Sequence, residues 1–116
     1  MTFPPVIDAD TIESLRALGG KDDDFLGEII GIFLNDMPAR LSELESGLAA
    51  TDTAKLLRAA HSIKGSAANV GALRLQSAAE RLESLGRQLG PDGLAAQLAE
   101  VRGEFAAARE ELSKYR

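Results

Sequence analysis

The chain has 116 residues, 45% of them hydrophobic and 27% charged, with a formal net charge of -5 and a sequence pI of about 4.8. This composition is typical of one globular domain rather than a disordered tail, and the acidity disfavours nucleic acid and anionic membranes as partners. The absence of cysteine and the presence of a single histidine exclude disulfides, cysteine-ligated metals and multi-histidine metal sites.

The start of the chain does not resemble a targeting segment. Met1–Pro5 has no basic region followed by an apolar run, and no apolar stretch approaches the ~20 residues that span a bilayer. We therefore expect a cytoplasmic protein. Met1 and the compact length favour a whole protein, although a fragment of a larger one would look the same.

The first elements are short. Pro4 and Pro5 predict an extended segment over residues 1–7. Asp8 or Asp10 then offers a cap for a short helix over about 9–18, which the glycine pair at 19–20 ends.

The second helix is predicted over about 22–49. Three aspartates at 22–24 suit a helix N-terminus, and apolar residues then recur every three or four positions. Pro38 interrupts this helix at a usual cost of ~3 kcal/mol. Because the apolar phase continues past the proline, we predict one bent helix rather than two.

Three further helices are predicted over about 53–68, 72–88 and 94–113. The turn signals at 51–53, 69–71 and 90–93 separate them, and no segment alternates with period two. Four amphipathic helices with short connections predict an all-α fold, an antiparallel four-helix bundle with a short additional N-terminal helix. The whole of 1–116 is expected to form a single domain.

The only histidine, His61, lies off the apolar stripe of its helix. At about 100° per residue, the stripe consists of residues within about 40° of Leu56: Leu56 itself, Ala60, Ile63 and Ala67. His61 falls about 140° from Leu56 and is expected on the surface. A surface histidine is usually an ordinary polar residue, so its neighbours decide whether it has a function.

Those neighbours are unusual. Gly65 sits in mid-helix, where glycine costs ~1 kcal/mol relative to alanine, and small residues follow it. Close approach of another molecule would explain this choice. Lys64 places a cation beside the imidazole, which favours a neutral, nucleophilic His61 and could offset the charge of an anion bound there. These features suit acceptance of a phosphoryl group, in which the protein mainly positions groups and neutralises charge.

The run HSIKGSAANVGA, from His61 to Ala72, resembles the histidine-containing phosphotransfer (HPt) family of two-component phosphorelays. The family pattern is His-x-x-Lys-Gly, small residues, and a second glycine six positions after the first. Further similarity around Asp24–Phe25 and Ala79–Glu83 extends the resemblance over roughly residues 8 to 86.

The resemblance implies a role for each matching residue. His61 would accept phosphate on Nε2 from a receiver-domain aspartate and pass it to another receiver. Lys64 would offset the charge of the phosphate, and Glu83 would orient the imidazole through Nδ1–H; an ordinary solvated carboxylate is the alternative for Glu83. Clearance for the receiver and a tight turn between helices would come from the small residues: Gly65, Ser66, Ala68 and Gly71.

The resemblance also implies partners. Receiver domains would dock on an apolar patch whose candidates are Ile12, Leu15, Phe25, Ile29 and Leu57; the alternative is that these residues belong to the core. Receivers and a hybrid sensor kinase are the expected partners of a monomer. No cofactor is expected on this chain, and magnesium is expected on the receiver.

Two departures narrow the type. The phosphotransfer domain of chemotaxis kinases usually has threonine after the histidine and a second histidine downstream, whereas this chain has Ser62 and no histidine between Ala79 and Glu83. The relay type fits better, and without an ATP-binding domain autophosphorylation is not expected. Two alternatives to a phosphocarrier stay open: an interaction module that carries no phosphate, and a hydrolase with His61 as general base, although no Gly-x-Ser-x-Gly elbow is present.

Overall fold

Residues 4–116 are described by a computed structural model, and they form five α-helices and one short 3-10 turn. The helices are α1 (Ala9–Leu18), α2 (Phe25–Ala49), α3 (Thr53–Asn69), α4 (Leu73–Leu89) and α5 (Ala95–Leu112). No strand is present in 4–116, so the predicted all-α class is confirmed. The predicted extended lead-in over 1–7 lies partly outside the described residues.

Helices α2 to α5 form the bundle. Helix α3 packs against α2 on one side and α4 on the other, while α5 closes the bundle against α4 and α2. The rings of Phe33 on α2 and Phe105 on α5 meet edge to face, with their centroids 6.0 Å apart. The predicted antiparallel bundle, with a short extra helix that contacts α2, is therefore the observed architecture.

Helix boundaries follow local capping. Asp52 begins α3 by accepting a hydrogen bond from the backbone N–H of Lys55 at 3.1 Å. Asp8, one of the two predicted candidates, caps α1 through the N–H of Asp10. Helix α2 begins at residue 25 rather than 22, because Asp22 accepts a hydrogen bond from the N–H of Asp24 and holds a turn before the helix.

Helix α2 runs through Pro38 without a break. Buried side chains stand on both sides of the proline, including Phe33, Met37 and Leu44. Burial of this continuous apolar face offsets the hydrogen bond that the proline removes. The prediction of one helix rather than two is correct.

The lead-in and the α3–α4 turn are joined by backbone hydrogen bonds. The N–H of Asp8 donates to the carbonyl of Gly71 at 2.8 Å, and the N–H of Leu73 donates to the carbonyl of Val6 at 3.1 Å. Gly71 has φ +72°, the left-handed region that favours glycine. A Cβ at this position would lie 2.8 Å from the Cβ of Thr11 on α1. The predicted tight turn is present, and its glycine also admits α1.

Candidate functional site

Helix α3 presents His61 to solvent. The four residues of the predicted apolar stripe are fully buried, whereas the His61 side chain is 69% exposed. A reactive ring on this helix is therefore accessible to a second protein without any opening of the bundle.

Glu83 on α4 is the buried centre of the site. Only 3% of this residue is exposed, so the alternative of a solvated helix carboxylate is wrong. Its Oε1 accepts a hydrogen bond from Lys64 Nζ at 2.8 Å, and its Oε2 lies 3.0 Å from His61 Nδ1. Arg87 Nη2 also donates to Oε2, at 3.1 Å. Three side chains from two helices thus converge on one carboxylate.

The surroundings of Glu83 keep it ionised. Burial by itself raises the pKa of a carboxyl group, but the hydrogen bond and charge of Lys64, the hydrogen bond of His61 and the charge of Arg87 outweigh it. The pKa of Glu83 is therefore lowered from its ordinary value of 4.5. An ionised carboxylate only accepts hydrogen bonds, so the Nδ1 of His61 must be the donor. In the neutral ring, the lone pair that is left lies on Nε2.

Lys64 and Arg87 both donate to Glu83, but their side chains differ in how much of their surface is exposed to solvent. The Lys64 side chain is 27% exposed and that of Arg87 is 65% exposed. Lys64 was predicted from the sequence, whereas Arg87 was not. The sequence feature that indicates Arg87 is its position four residues after Glu83, because residues four apart on a helix are neighbours and form ion pairs.

The small residues of α3 leave open space beside His61. A Cβ built on Gly65 would meet no atom within 4 Å, and Ala68 is exposed. Ser66 lines a shallow hollow between α3 and α2, together with Ile29 and Ile32 of α2. Gly65 and Ala68 therefore lie on the exposed side of α3 that carries His61, whereas Ser66 faces α2.

Two glycines that the sequence reading did not single out set the distances between helices. A Cβ on Gly86 would lie 3.0 Å from Leu57 Cδ2, so this glycine lets α4 approach α3 one turn after Glu83. A Cβ on Gly47 would lie 2.9 Å from the backbone nitrogen of Leu56. This glycine therefore allows α2 a similarly close approach to α3. The sequence feature that indicates both close approaches is a glycine on the inner face of an amphipathic helix.

Burial contradicts one residue of the predicted docking patch and leaves the other four as predictions. Ile12 is 1% exposed and belongs to the core, so its assignment to a docking surface is wrong. The reason is that Ile12 lies on the inner side of α1, which packs against the bundle. The other four candidates are partly buried: Leu15, Phe25, Ile29 and Leu57. Ile32, three residues after Ile29 and 59% exposed, was missed because it lies outside the apolar stripe of α2.

The described part of the chain holds neither a cluster of metal ligands nor a membrane-spanning helix. Within residues 4–116, no three His, Cys, Asp or Glu side chains are grouped so that they could hold a metal ion. No helix there is long and apolar enough to cross a membrane.

Comparison with known proteins decides the family. A family model described as the Hpt domain matches residues 28–111, which include every residue that converges on Glu83. The chain belongs to the Hpt domain family. The resemblance on which the sequence reading relied is thereby confirmed.

Individual members of this family are similar over most of the chain. Histidine-containing phosphotransfer protein B from Pseudomonas aeruginosa PAO1 is 29% identical, with a TM-score of 0.84, and the match covers 98% of this chain and 100% of that one. The maize histidine-containing phosphotransfer protein ZmHP2 is 28% identical, with a TM-score of 0.85 over 95% of this chain and 82% of its own.

A curated relative is more distant. The phosphorelay intermediate protein YPD1 of Candida albicans is 19% identical over 108 residues, which are 93% of this chain. The chain spans 59% of the length of that relative. The match to the Hpt domain model thus includes the bundle helices and the site, and the Candida albicans protein is longer than this chain.

Proposed function

We propose that the protein is a phosphorelay intermediate. It accepts a phosphoryl group on Nε2 of His61 from an aspartyl phosphate of one receiver domain and passes it to an aspartate of another. The observation that carries the proposal is the contact between His61 Nδ1 and the buried, ionised Glu83, because it reserves Nε2 of an exposed ring as the nucleophile. Membership of the Hpt domain family supports the same chemistry.

The transfer requires no other nucleophile on the chain. The Nε2 lone pair attacks phosphorus as the bond between phosphorus and the aspartate oxygen breaks, and the aspartate leaves as a carboxylate. The proton on Nδ1 stays in place, donated to Glu83. The ring becomes a phosphorylated imidazolium whose positive charge faces this carboxylate. The reverse sequence of bond changes delivers the group to the second receiver.

Lys64 serves the site in two ways in this proposal. Its ammonium group holds Glu83 ionised through the 2.8 Å contact with Oε1. It also brings a positive charge to the neighbourhood of the phosphoryl group. The ion pair fixes Lys64 in position before the partner arrives, so less side-chain entropy is lost at the moment of transfer.

The receiver docks over the accessible side of α3 in this proposal. Gly65 leaves the space that the loops of the receiver need, since even a Cβ there would touch nothing. Ala68 continues the low surface beside His61, while Ser66, Ile29 and Ile32 line the hollow between α3 and α2 and offer apolar area alongside it. Leu15, Phe25 and Leu57 stay candidate contacts at the edge of this surface.

The protein acts as a phosphocarrier rather than as an enzyme with turnover, because the chain itself is the covalent intermediate. Its proposed partners are receiver domains, including that of a hybrid sensor kinase. The magnesium ion that phosphoryl transfer needs would be held by the receiver, with no metal on this chain. We also keep the expectation of a cytoplasmic monomer.

Transfer of labelled phosphate tests the proposal. The purified protein is incubated with receiver domains that carry 32P on their aspartate, drawn from a panel so that a cognate pair is represented. We expect acid-labile, alkali-stable label on the wild type and none on His61→Gln. Equal labelling of both would exclude the proposal, and binding of a receiver without label would favour a non-catalytic interaction module.

A further inference from the structure

A hollow of about 380 Å³ lies beside His61 on the side towards the start of α3. Its lining residues come from both α3 and α4: Leu57, Arg58, His61, Ser62, Glu83 and Arg87. Side chains on a helix lean towards its N-terminus, so the imidazole of His61 leans over the turn that carries Arg58. The hollow therefore adjoins the ring that the proposed function uses as nucleophile.

The cations of this site differ in what they already bind. Lys64 and Arg87 both donate to Glu83, so one carboxylate partly neutralises two positive charges. Arg58 is exposed and makes no ion pair or side-chain hydrogen bond within the described residues 4–116. Its guanidinium group thus keeps its full charge and all its donors on the wall of the hollow.

We propose that Arg58 binds the phosphoryl oxygens of phosphorylated His61. A guanidinium group presents paired N–H donors that match two oxygens of a phosphate, which suits a position one helical turn from the acceptor ring. The chain as a whole is acidic, with a net charge of -5, so the positive charge of Arg58 beside the acceptor does not reflect a generally basic surface. The inference rests on the proposed function, because it requires phosphohistidine at position 61.

The test uses the intact protein and a small phosphoryl donor, so that receiver docking plays no part. Wild type, Arg58→Gln and Arg58→Lys are phosphorylated with phosphoramidate, and the 31P signal of the phosphohistidine is followed from pH 5 to 9. Lys55→Gln is the matched control, since it removes the same charge from the same helix, about 9 Å along the axis from His61.

We expect the 31P titration midpoint of Arg58→Gln to lie above that of the wild type by roughly 0.2 to 0.7 pH unit, because a cation at this position favours the form of the phosphohistidine that has lost a proton. Arg58→Lys should recover most of the difference, and Lys55→Gln should match the wild type. Arg58 is exposed, so its variants are expected to keep the wild-type circular dichroism.

Three results would overturn the inference. A wild-type midpoint in Arg58→Gln would show that the guanidinium group does not bind the phosphate. An equal change in Lys55→Gln would show an effect of net charge alone. A wild type that forms no acid-labile phosphate with either phosphoramidate or receivers would overturn the proposed function as well, whereas a normal phosphohistidine with an unchanged Arg58→Gln would overturn this inference only.

Discussion

Nδ1 of His61 lies 3.0 Å from Oε2 of Glu83, a carboxylate that stands 22 positions later in the chain and on the neighbouring helix. The pair joins an exposed ring to a buried anion. Because the anion is ionised and accepts only, the contact fixes which ring nitrogen carries the proton. The fold thus sets the tautomer of the proposed nucleophile before any partner binds.

The tautomer is the first testable consequence. In 15N-labelled wild type at alkaline pH, we expect the imidazole signals of an Nδ1–H form. Glu83→Ala should lose this preference and transfer phosphate roughly 10- to 150-fold more slowly, which corresponds to one hydrogen bond to a charged group.

Glu83→Gln is the control for this experiment, since its amide oxygen can still accept from Nδ1–H without the negative charge. It should keep the Nδ1–H signals and lose less activity than Glu83→Ala. A mixture of tautomers in the wild type, or unchanged transfer in Glu83→Ala, would contradict the positioning role.

The lowered pKa of Glu83 predicts how stability depends on acid. Below its ordinary value of 4.5, the unfolded chain binds a proton at this position more readily than the folded chain does. The stabilising contribution of Glu83 is therefore present above about pH 4.5 and is lost as the pH falls through the lower, folded-state value. Urea unfolding of wild type and Glu83→Gln between pH 3 and 7 measures it.

The wild type should lose more stability than Glu83→Gln over the acidic part of this range. All other carboxyl groups are common to both proteins, so their effects cancel in the difference between the two curves. Parallel curves would mean that the ion pairs of Glu83 do not favour its ionised form.

Much of this arrangement could be predicted from single helices. The apolar spacing gave the extent of α3 to within one residue, and the angle of His61 from Leu56 placed the ring outside the core. These are properties of one helix and its period, and the sequence alone determines them.

Contacts between helices could not be predicted in the same way. The convergence of Lys64 and Arg87 on Glu83 depends on how α3 packs against α4, including the close approach that Gly86 allows. Ile12 was misassigned for a related reason: periodicity identifies the apolar side of α1 but not whether that side covers the bundle or faces a partner.

Gly65 offers a prediction in which stability and function change in opposite directions. Gly65→Gln should stabilise the fold by about 0.5–1 kcal/mol, because glycine is a poor helix former and the added Cβ would meet no atom within 4 Å. Transfer from a receiver should nevertheless fall by roughly 100-fold, as expected when reacting groups are held apart.

Gly103→Gln is the matched control, because Gly103 is an exposed glycine of α5 whose added Cβ would also meet nothing within 4 Å. It should gain similar stability in thermal unfolding and transfer at the wild-type rate. Wild-type transfer in Gly65→Gln would show that the receiver does not approach this part of α3.

Gly71 is predicted to matter for the fold. Gly71→Ala would combine a positive φ with a contact of 2.8 Å to Thr11, whereas Gly20→Ala would meet only the positive φ, since nothing lies within 4 Å of Gly20. Gly20→Ala should cost about 1–2 kcal/mol, and Gly71→Ala about 1–3 kcal/mol more. Denaturant titration measures both, and equal losses would contradict the packing of α1 against this turn.

The most direct test of the central claim is the site of the phosphoryl group on the ring. Protein labelled with 15N in histidine is phosphorylated by the receiver that transfers fastest, and the coupling between 31P and the ring nitrogens is recorded by NMR. We predict coupling to Nε2 of His61, with a proton retained on Nδ1. Phosphate on Nδ1 of His61, or on any other side chain, would contradict it.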